Sequence, residues 1–138
     1  MANFMSLLEQ VVNLSNEEKI NLGKEFYAKT MDLCLSNGIK YKKKSIFLKN
    51  LLHLFANADN KLTNKEYKLI IEISGLEITK EEFQNMELDN EFIKELTNMI
   101  EHLSVNDKST IFFLGVIILS SDNTINYEEI KLIDQLFE

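Results

Sequence analysis

The chain contains one twelve-residue pattern twice. Residues 59–70 read DNKLTNKEYKLI and residues 122–133 read DNTINYEEIKLI, an offset of 63 residues (122 − 59) with six identical positions. Self-similarity at a fixed spacing is typical of a chain built from repeated structural units. We therefore expect two related halves, which span residues from about 43 to 75 and from about 107 to 138.

An apolar run precedes each copy of the pattern. Residues 45–58 read SIFLKNLLHLFANA, and residues 110–121 read TIFFLGVIILSS. Both runs are apolar nearly all round, which is typical of a buried helix. Both are also shorter than the roughly 20 apolar residues that a membrane-spanning helix needs. The repeated unit is therefore predicted to be a buried helix, a short Asp-Asn loop and an amphipathic helix.

Capping sequences and helical periodicity place the other helices. Ser15 and Thr79 each stand three residues before a glutamate, which is the spacing of a capping box. Gly38 and Gly75 stand where a left-handed residue would end a helix. No segment shows the sustained alternation of a strand. The sequence predicts an all-α fold, a single compact domain over residues 1–138 with about seven helices, in which two pseudo-repeated helix–loop–helix units surround two buried central helices.

Composition narrows the class of protein. The net charge is −7, from 15 basic and 22 acidic residues, which disfavours nucleic acid as a partner and leaves a protein partner as the expectation. The single cysteine, Cys34, forms no disulfide framework, and His53 and His102 lack the spacing of a zinc site. The N-terminus has no signal-peptide pattern. We expect a cytoplasmic protein that does not insert into membranes, and no catalytic constellation is present, so we expect no enzyme.

The polar residues of the repeated pattern have a structural interpretation. Thr63 and Glu66 have the spacing of a capping box, with threonine at the cap and glutamate at the third helical position. Asn126 and Glu129 repeat this arrangement with asparagine as the cap. Such caps contribute about 1 kcal/mol each. Helix capping therefore accounts for these residues without any ligand.

The same atoms also permit a functional interpretation. Carboxylate and carbonyl oxygens are the ligands that Ca²⁺ and Mg²⁺ prefer. If the two halves pack about a pseudo-twofold axis, four carboxylates converge into one acidic cluster, which then needs a cation or shifted pKa values. The candidate ligands are Asp59, Glu66, Asp122 and Glu129. An EF-hand is excluded, because its glycine and its final glutamate are replaced by Asn64 and Ile70 in the first copy and by Tyr127 and Ile133 in the second.

With its two copies of this pattern, the sequence resembles a known family, the TerB-like tellurite-resistance domain. The matching stretches are residues 56–62, ANADNKL, together with Glu66, and residues 121–125, SDNTI, together with Glu129. The resemblance covers the chain from about residue 15 to residue 138. Its motif is short, and its duplication makes it more specific.

The resemblance implies an all-helical, pseudo-symmetric fold and a role in tellurite resistance or another stress response. It also implies binding of a divalent metal by acidic residues of the motif, which by position are Asp59, Glu66, Asp122 and Glu129. The chain departs from the family at Asn60 and Asn123, where glycine is usual. Asparagine tolerates a left-handed backbone, so this change is compatible with the fold.

Two hypotheses about function remain open from the sequence. In the first, the chain is a TerB-like stress-response module that binds Ca²⁺ or Mg²⁺ at the paired loops. In the second, it is a non-catalytic protein-interaction or structural domain in which the repeated acidic residues only cap helices. An enzyme that uses the acidic cluster with a metal is the weakest alternative.

Overall fold

The computed structural model describes residues 9–39, 44–55 and 63–121. Within these ranges the regular structure is helical and no strand occurs, which confirms the predicted all-α fold. The predicted final helix, from Asn126 onward, lies outside the described ranges. The helices are α1 (described over residues 9–12), α2 (Asn16–Ser36), α3 (Lys44–Phe55), α4 (Asn64–Ser74), α5 (Lys80–Asn85), α6 (Asn90–His102) and α7 (Val105–Leu119).

The helices begin and end at the residues that the sequence marks. The residues that cap the N-termini of α2, α4, α5, α6 and α7 through a side-chain oxygen are Ser15, Thr63, Thr79, Asp89 and Ser104. Ser15 and Thr63 have complete capping boxes. At Thr79 the second hydrogen bond differs, because Oε1 of Glu82 accepts from the threonine hydroxyl, at 2.9 Å, instead of from its backbone N–H.

Both predicted glycine stops have left-handed backbones. Gly38 has a φ of 78° just after α2, and Gly75 has a φ of 72° at the end of α4. Glycine adopts this conformation without the steric cost that a Cβ atom brings. The ends of these two helices are therefore fixed by local sequence.

The two central helices, α3 and α7, carry matching core positions. Leu48 and Ile111 are 63 residues apart, as are Leu51 and Leu114 (111 − 48 and 114 − 51), and each side chain is at most 1 % exposed. This is the offset that separates the two copies of the sequence pattern. The same offset therefore relates two pairs of buried residues in α3 and α7, and α7 packs against α2, α3 and α4.

Small and polar residues line the most buried side of α2. At spacings of three or four, which place them on one face of a helix, the buried residues are Lys19, Gly23, Tyr27, Thr30 and Cys34. A Cβ atom on Gly23 would collide with Cγ1 and Cδ1 of Ile73 in α4. Glycine at this position therefore lets α2 and α4 approach closely.

Candidate functional site

The first corner is the connection from α3 to α4, and the structure describes its α4 side from Thr63 onward. The Thr63 N–H donates to Oε1 of Glu66 at 3.0 Å, and the Glu66 N–H donates to Oγ1 of Thr63 at 3.1 Å. Two of the N–H groups that a helix N-terminus leaves without partners are thereby satisfied. Glu66, one of the predicted metal ligands, thus caps α4.

The residues beside this cap also hold the first corner in place. The Tyr67 hydroxyl donates to the Ile78 carbonyl oxygen at 2.5 Å, and the Lys80 ammonium donates to Oδ1 of Asn64 at 2.9 Å. Both bonds connect the first turn of α4 to the start of α5. Within the described part of the first corner, the side chains of Tyr67 and Asn64 therefore connect α4 to the region where α5 begins.

The second corner is the connection that follows α7, of which the structure describes Ser120 and Ser121. The Ser121 N–H donates to the Ile118 carbonyl oxygen at 3.2 Å, and Oγ of Ser120 donates to the Ile117 carbonyl oxygen at 2.9 Å. The Ser120 carbonyl oxygen in turn accepts a 2.7 Å hydrogen bond from Nζ of Lys19, and this bond is buried. A lysine from α2 therefore holds the C-terminal end of α7.

The four predicted metal ligands divide between described and undescribed parts of the chain. Glu66 is half-buried in the capping box. Asp59, Asp122 and Glu129 lie outside the described residues. Within the described ranges, no group of three or more histidine, cysteine, aspartate or glutamate side chains is arranged to hold a metal ion. Convergence of the four carboxylates therefore remains a prediction.

Cys34 lies in α2 and His102 ends α6, and the structure shows what surrounds each of them. Cys34 is fully buried, and burial raises the pKa of its thiol to about 12. Since the thiolate is the nucleophile, this thiol is not activated in the fold. Nδ1 of His102 lies 2.8 Å from the carbonyl oxygen of Asn98, one turn earlier in α6.

Sequence reasoning missed the role of Lys19. The signal was present, because Lys19 stands four residues before Gly23 and eight before Tyr27, on the stripe that α2 buries. A lysine at such a position is normally read as exposed, since charged side chains are rarely buried without partners. Its partner, Ser120, is 101 residues away, so local sequence does not reveal the pair.

No protein-family model matches the chain, and no curated protein or solved structure is significantly similar to it. Among the described residues, no helix is both long enough and apolar enough to cross a membrane.

Proposed function

We propose that this chain is a non-catalytic helical module of the TerB-like type, which acts in the cytoplasm, in a stress response, by contact with a protein partner. The duplicated Asp-Asn pattern supports the proposal, as does the equal spacing of buried residues in α3 and α7. The resemblance supplies the stress-response role. The net charge of −7 favours a protein partner over nucleic acid.

The observation that carries this proposal is the complete capping box of Thr63 and Glu66. It gives the repeated glutamate of the first copy a role that needs neither a metal nor a substrate. Glu129 stands at the matching position of the second copy, three residues after Asn126, where the same role is expected. The repeated glutamates are then features of helix architecture, and the function belongs to the surface that the helices present.

Two variants of Glu66 separate capping from metal binding. Glutamine also serves at the third position of a capping box, so Glu66→Gln should melt within about 1 °C of wild type, while Glu66→Ala should melt lower by about 2–4 °C. Glu72→Gln, on the exposed side of α4, is the charge-matched control. The proposal is contradicted if Glu66→Gln lowers the melting temperature as much as Glu66→Ala does, while Glu72→Gln melts like wild type.

A second candidate function is binding of a divalent cation at the paired loops. The identical Asp-Asn pairs at 59–60 and 122–123 favour it, because the cap itself does not require an aspartate four residues before it. Only Oε1 of Glu66 takes part in the capping bond from Thr63. Carboxylate and amide oxygens suit Ca²⁺ or Mg²⁺.

Melting with and without Ca²⁺, Mg²⁺ and Mn²⁺ tests the cation. Specific binding to the folded state raises the melting temperature by mass action. The double variant Asp59→Asn, Asp122→Asn should then lose this rise. An unchanged melting temperature in wild type, or an equal rise in the double variant, rules out cation binding at the paired loops. The protein-interaction module then remains as the proposed function.

The stress-response role is tested in the host that carries the gene. Deleting the gene should lower survival in tellurite or under phage challenge, and expressing the wild-type chain should restore it. Leu114→Ala, which removes a fully buried side chain of α7, is the variant expected to fail in this rescue. Equal survival of the deletion strain and the parental strain under these stresses would rule out the stress-response role.

A further inference from the structure

The chain between α4 and α6 is a segment with clear limits, residues 76–89, which we call the α5 segment. It begins after Gly75, whose left-handed backbone ends α4, and it finishes at Asp89, the N-cap of α6. Its helix, α5, has six residues. A helix this short has little stability of its own in water. Contacts with other helices must therefore hold the α5 segment in place.

Few side chains anchor the α5 segment in the core. Of residues 76–89, all of which the structure describes, only Phe83 is fully buried, and Leu76, Ile78 and Met86 are partly buried against the core. The extensive helix packing within the described ranges joins α2, α3, α4, α6 and α7, and α5 takes no part in it. Segments with few buried contacts are the ones that open locally in native proteins.

Lys49 of α3 holds the end of α5. Its Nζ donates to the Gln84 carbonyl oxygen at 3.1 Å, in the last turn of α5, and lies 5.6 Å from the centre of the Phe83 ring. The last carbonyl groups of a helix lack partners within it and carry partial negative charge. The ammonium of Lys49 therefore stabilises the closed position of α5.

The next residue of α3, Asn50, holds the end of the α5 segment. Asn50 is fully buried, and its Oδ1 accepts from the Asp89 N–H at 2.8 Å. Its Nδ2 donates to the Ile46 carbonyl oxygen, one turn earlier in α3, which fixes the orientation of the amide. Two consecutive residues of α3 therefore bind the two ends of the stretch 84–89.

The other end of the α5 segment is free to turn at Gly75. Among the described residues, none except its chain neighbours comes within 4 Å of the position that a Cβ atom would take at Gly75. Residues at the ends of helices absorb the changes in φ and ψ when a hinge moves. Gly75 is therefore suited to be the hinge.

We propose that the α5 segment opens as a unit while the other described helices stay packed, with Gly75 as the hinge. Lys49 and Asn50 hold the segment closed. Opening takes the Phe83 ring out of the core and uncovers the Lys49 ammonium. This conformational device depends neither on the proposed partner contact nor on a cation at the paired loops.

Native-state hydrogen exchange in low urea tests whether the segment opens by itself. The probes are the N–H groups of Phe83 and Asp89, which bond to the Thr79 carbonyl oxygen and to Oδ1 of Asn50, and the N–H of Ile117 in α7. The first two should be less protected than Ile117, with a weaker urea dependence, because local opening exposes less surface than unfolding. Equal protection and urea dependence at all three would overturn the proposal.

A mild change in the core separates local opening from unfolding. Ile111→Val shortens a fully buried side chain of α7 and should accelerate exchange at Ile117 by about 2- to 12-fold. Exchange at Phe83 and Asp89 should stay at the wild-type rate, because α7 remains packed when the α5 segment opens. Equal acceleration at all three N–H groups would mean that the segment opens only when the protein unfolds, which contradicts the proposal.

The role of Lys49 is tested by Lys49→Met, which keeps the apolar stem and removes the ammonium. Exchange at Phe83 and Asp89 should become about 2- to 12-fold faster, because the bond to Gln84 is lost. Lys94→Met, an exposed change in α6, is the control and should leave both rates unchanged. Rates in Lys49→Met that equal those of the control would show that Lys49 does not hold the segment closed.

Discussion

The two central helices hold matching places in the repeat but are fixed by different chemistry. In α3, Asn50 is fully buried; its Nδ2 donates to the Ile46 carbonyl oxygen and its Oδ1 accepts from the Asp89 N–H, both at 2.8 Å. The neighbouring Lys49 ammonium donates to the Gln84 carbonyl oxygen at 3.1 Å. Polar bonds therefore join α3 to the segments that precede and begin α6.

In α7 the matching position is aromatic. Phe113 is 63 residues after Asn50 (113 − 50), and its ring stacks on Phe26 of α2 with centroids 4.7 Å apart. The polar bonds of α7 lie at its two ends, where Ser104 caps the start and Lys19 holds Ser120. The comparison shows that α3 and α7 share buried apolar positions at the repeat offset, while the contacts around these positions differ.

The largest effect is expected from the core positions that the repeats share. Leu51→Ala in α3 and Leu114→Ala in α7 each leave a cavity where a side chain is at most 1 % exposed. Each should lower the free energy of unfolding by about 2–5 kcal/mol. Urea denaturation measures this, with Leu35→Ala, an exposed leucine in α2, as the control. A loss below about 1 kcal/mol in either helix would show that this helix is not central.

A smaller effect is expected from the polar contact that distinguishes α3. Asn50→Ala leaves the Asp89 N–H without its acceptor, and an unsatisfied buried donor costs about 1–3 kcal/mol. Asn98→Ala, an exposed change in α6, is the matched control. Equal urea midpoints for the two variants would mean that the bond from α3 to Asp89 does not contribute, and the contrast with α7 would fail.

The cap of the first corner should matter less. Thr63→Ala removes the side-chain acceptor of the Glu66 N–H and should cost about 1 kcal/mol, which thermal melting detects. Thr97 is the control, because its hydroxyl bonds to the Ile93 carbonyl oxygen inside α6 and alanine favours a helix interior. If Thr97→Ala lowers the melting temperature as much as Thr63→Ala, capping is not the source of the loss.

The smallest effect concerns the pH dependence contributed by Cys34 in α2. The pKa of its thiol is raised by burial from its ordinary value, 9.0, to about 12. The unfolded chain therefore loses this proton first, so the contribution of Cys34 is complete below pH 9 and is lost as pH rises from 9 to 12. At pH 9.5 the loss is below about 1 kcal/mol.

This contribution is measured as the difference between wild type and Cys34→Ala in urea denaturation at pH 7.5 and pH 9.5. The gap between the two proteins should narrow at the higher pH, because alanine has no proton to lose. The thiol should also react with iodoacetamide far more slowly in the native protein than in urea. Rapid native alkylation would place the thiol at the surface and contradict its burial.

Local sequence predicted the features that depend on neighbours in the chain. The capping boxes at Ser15 and Thr63 and the glycine stops at Gly38 and Gly75 involve residues within a few positions of each other, and the structure confirms them. The 63-residue offset likewise predicted two central helices, and pairs of buried residues in α3 and α7 are separated by this offset.

Features that depend on distant partners were not predicted. Asn50 meets Asp89 across 39 residues and Lys19 meets Ser120 across 101 residues, so neither bond has a local signal. Of the candidate site, the sequence predicted the capping role of Glu66. Whether the carboxylates of the two copies meet depends on how the halves pack, which a capping pattern does not determine.

The central claim is that the repeated glutamate of the first copy caps α4 without a metal, and amide hydrogen exchange at Thr63 tests it most directly. With EDTA present, the Thr63 N–H should exchange slowly, because it donates to Oε1 of Glu66. It should exchange faster in Glu66→Ala and should not respond to added Mg²⁺ or Ca²⁺. Fast exchange in EDTA that becomes slow only when a divalent ion is added would contradict the account.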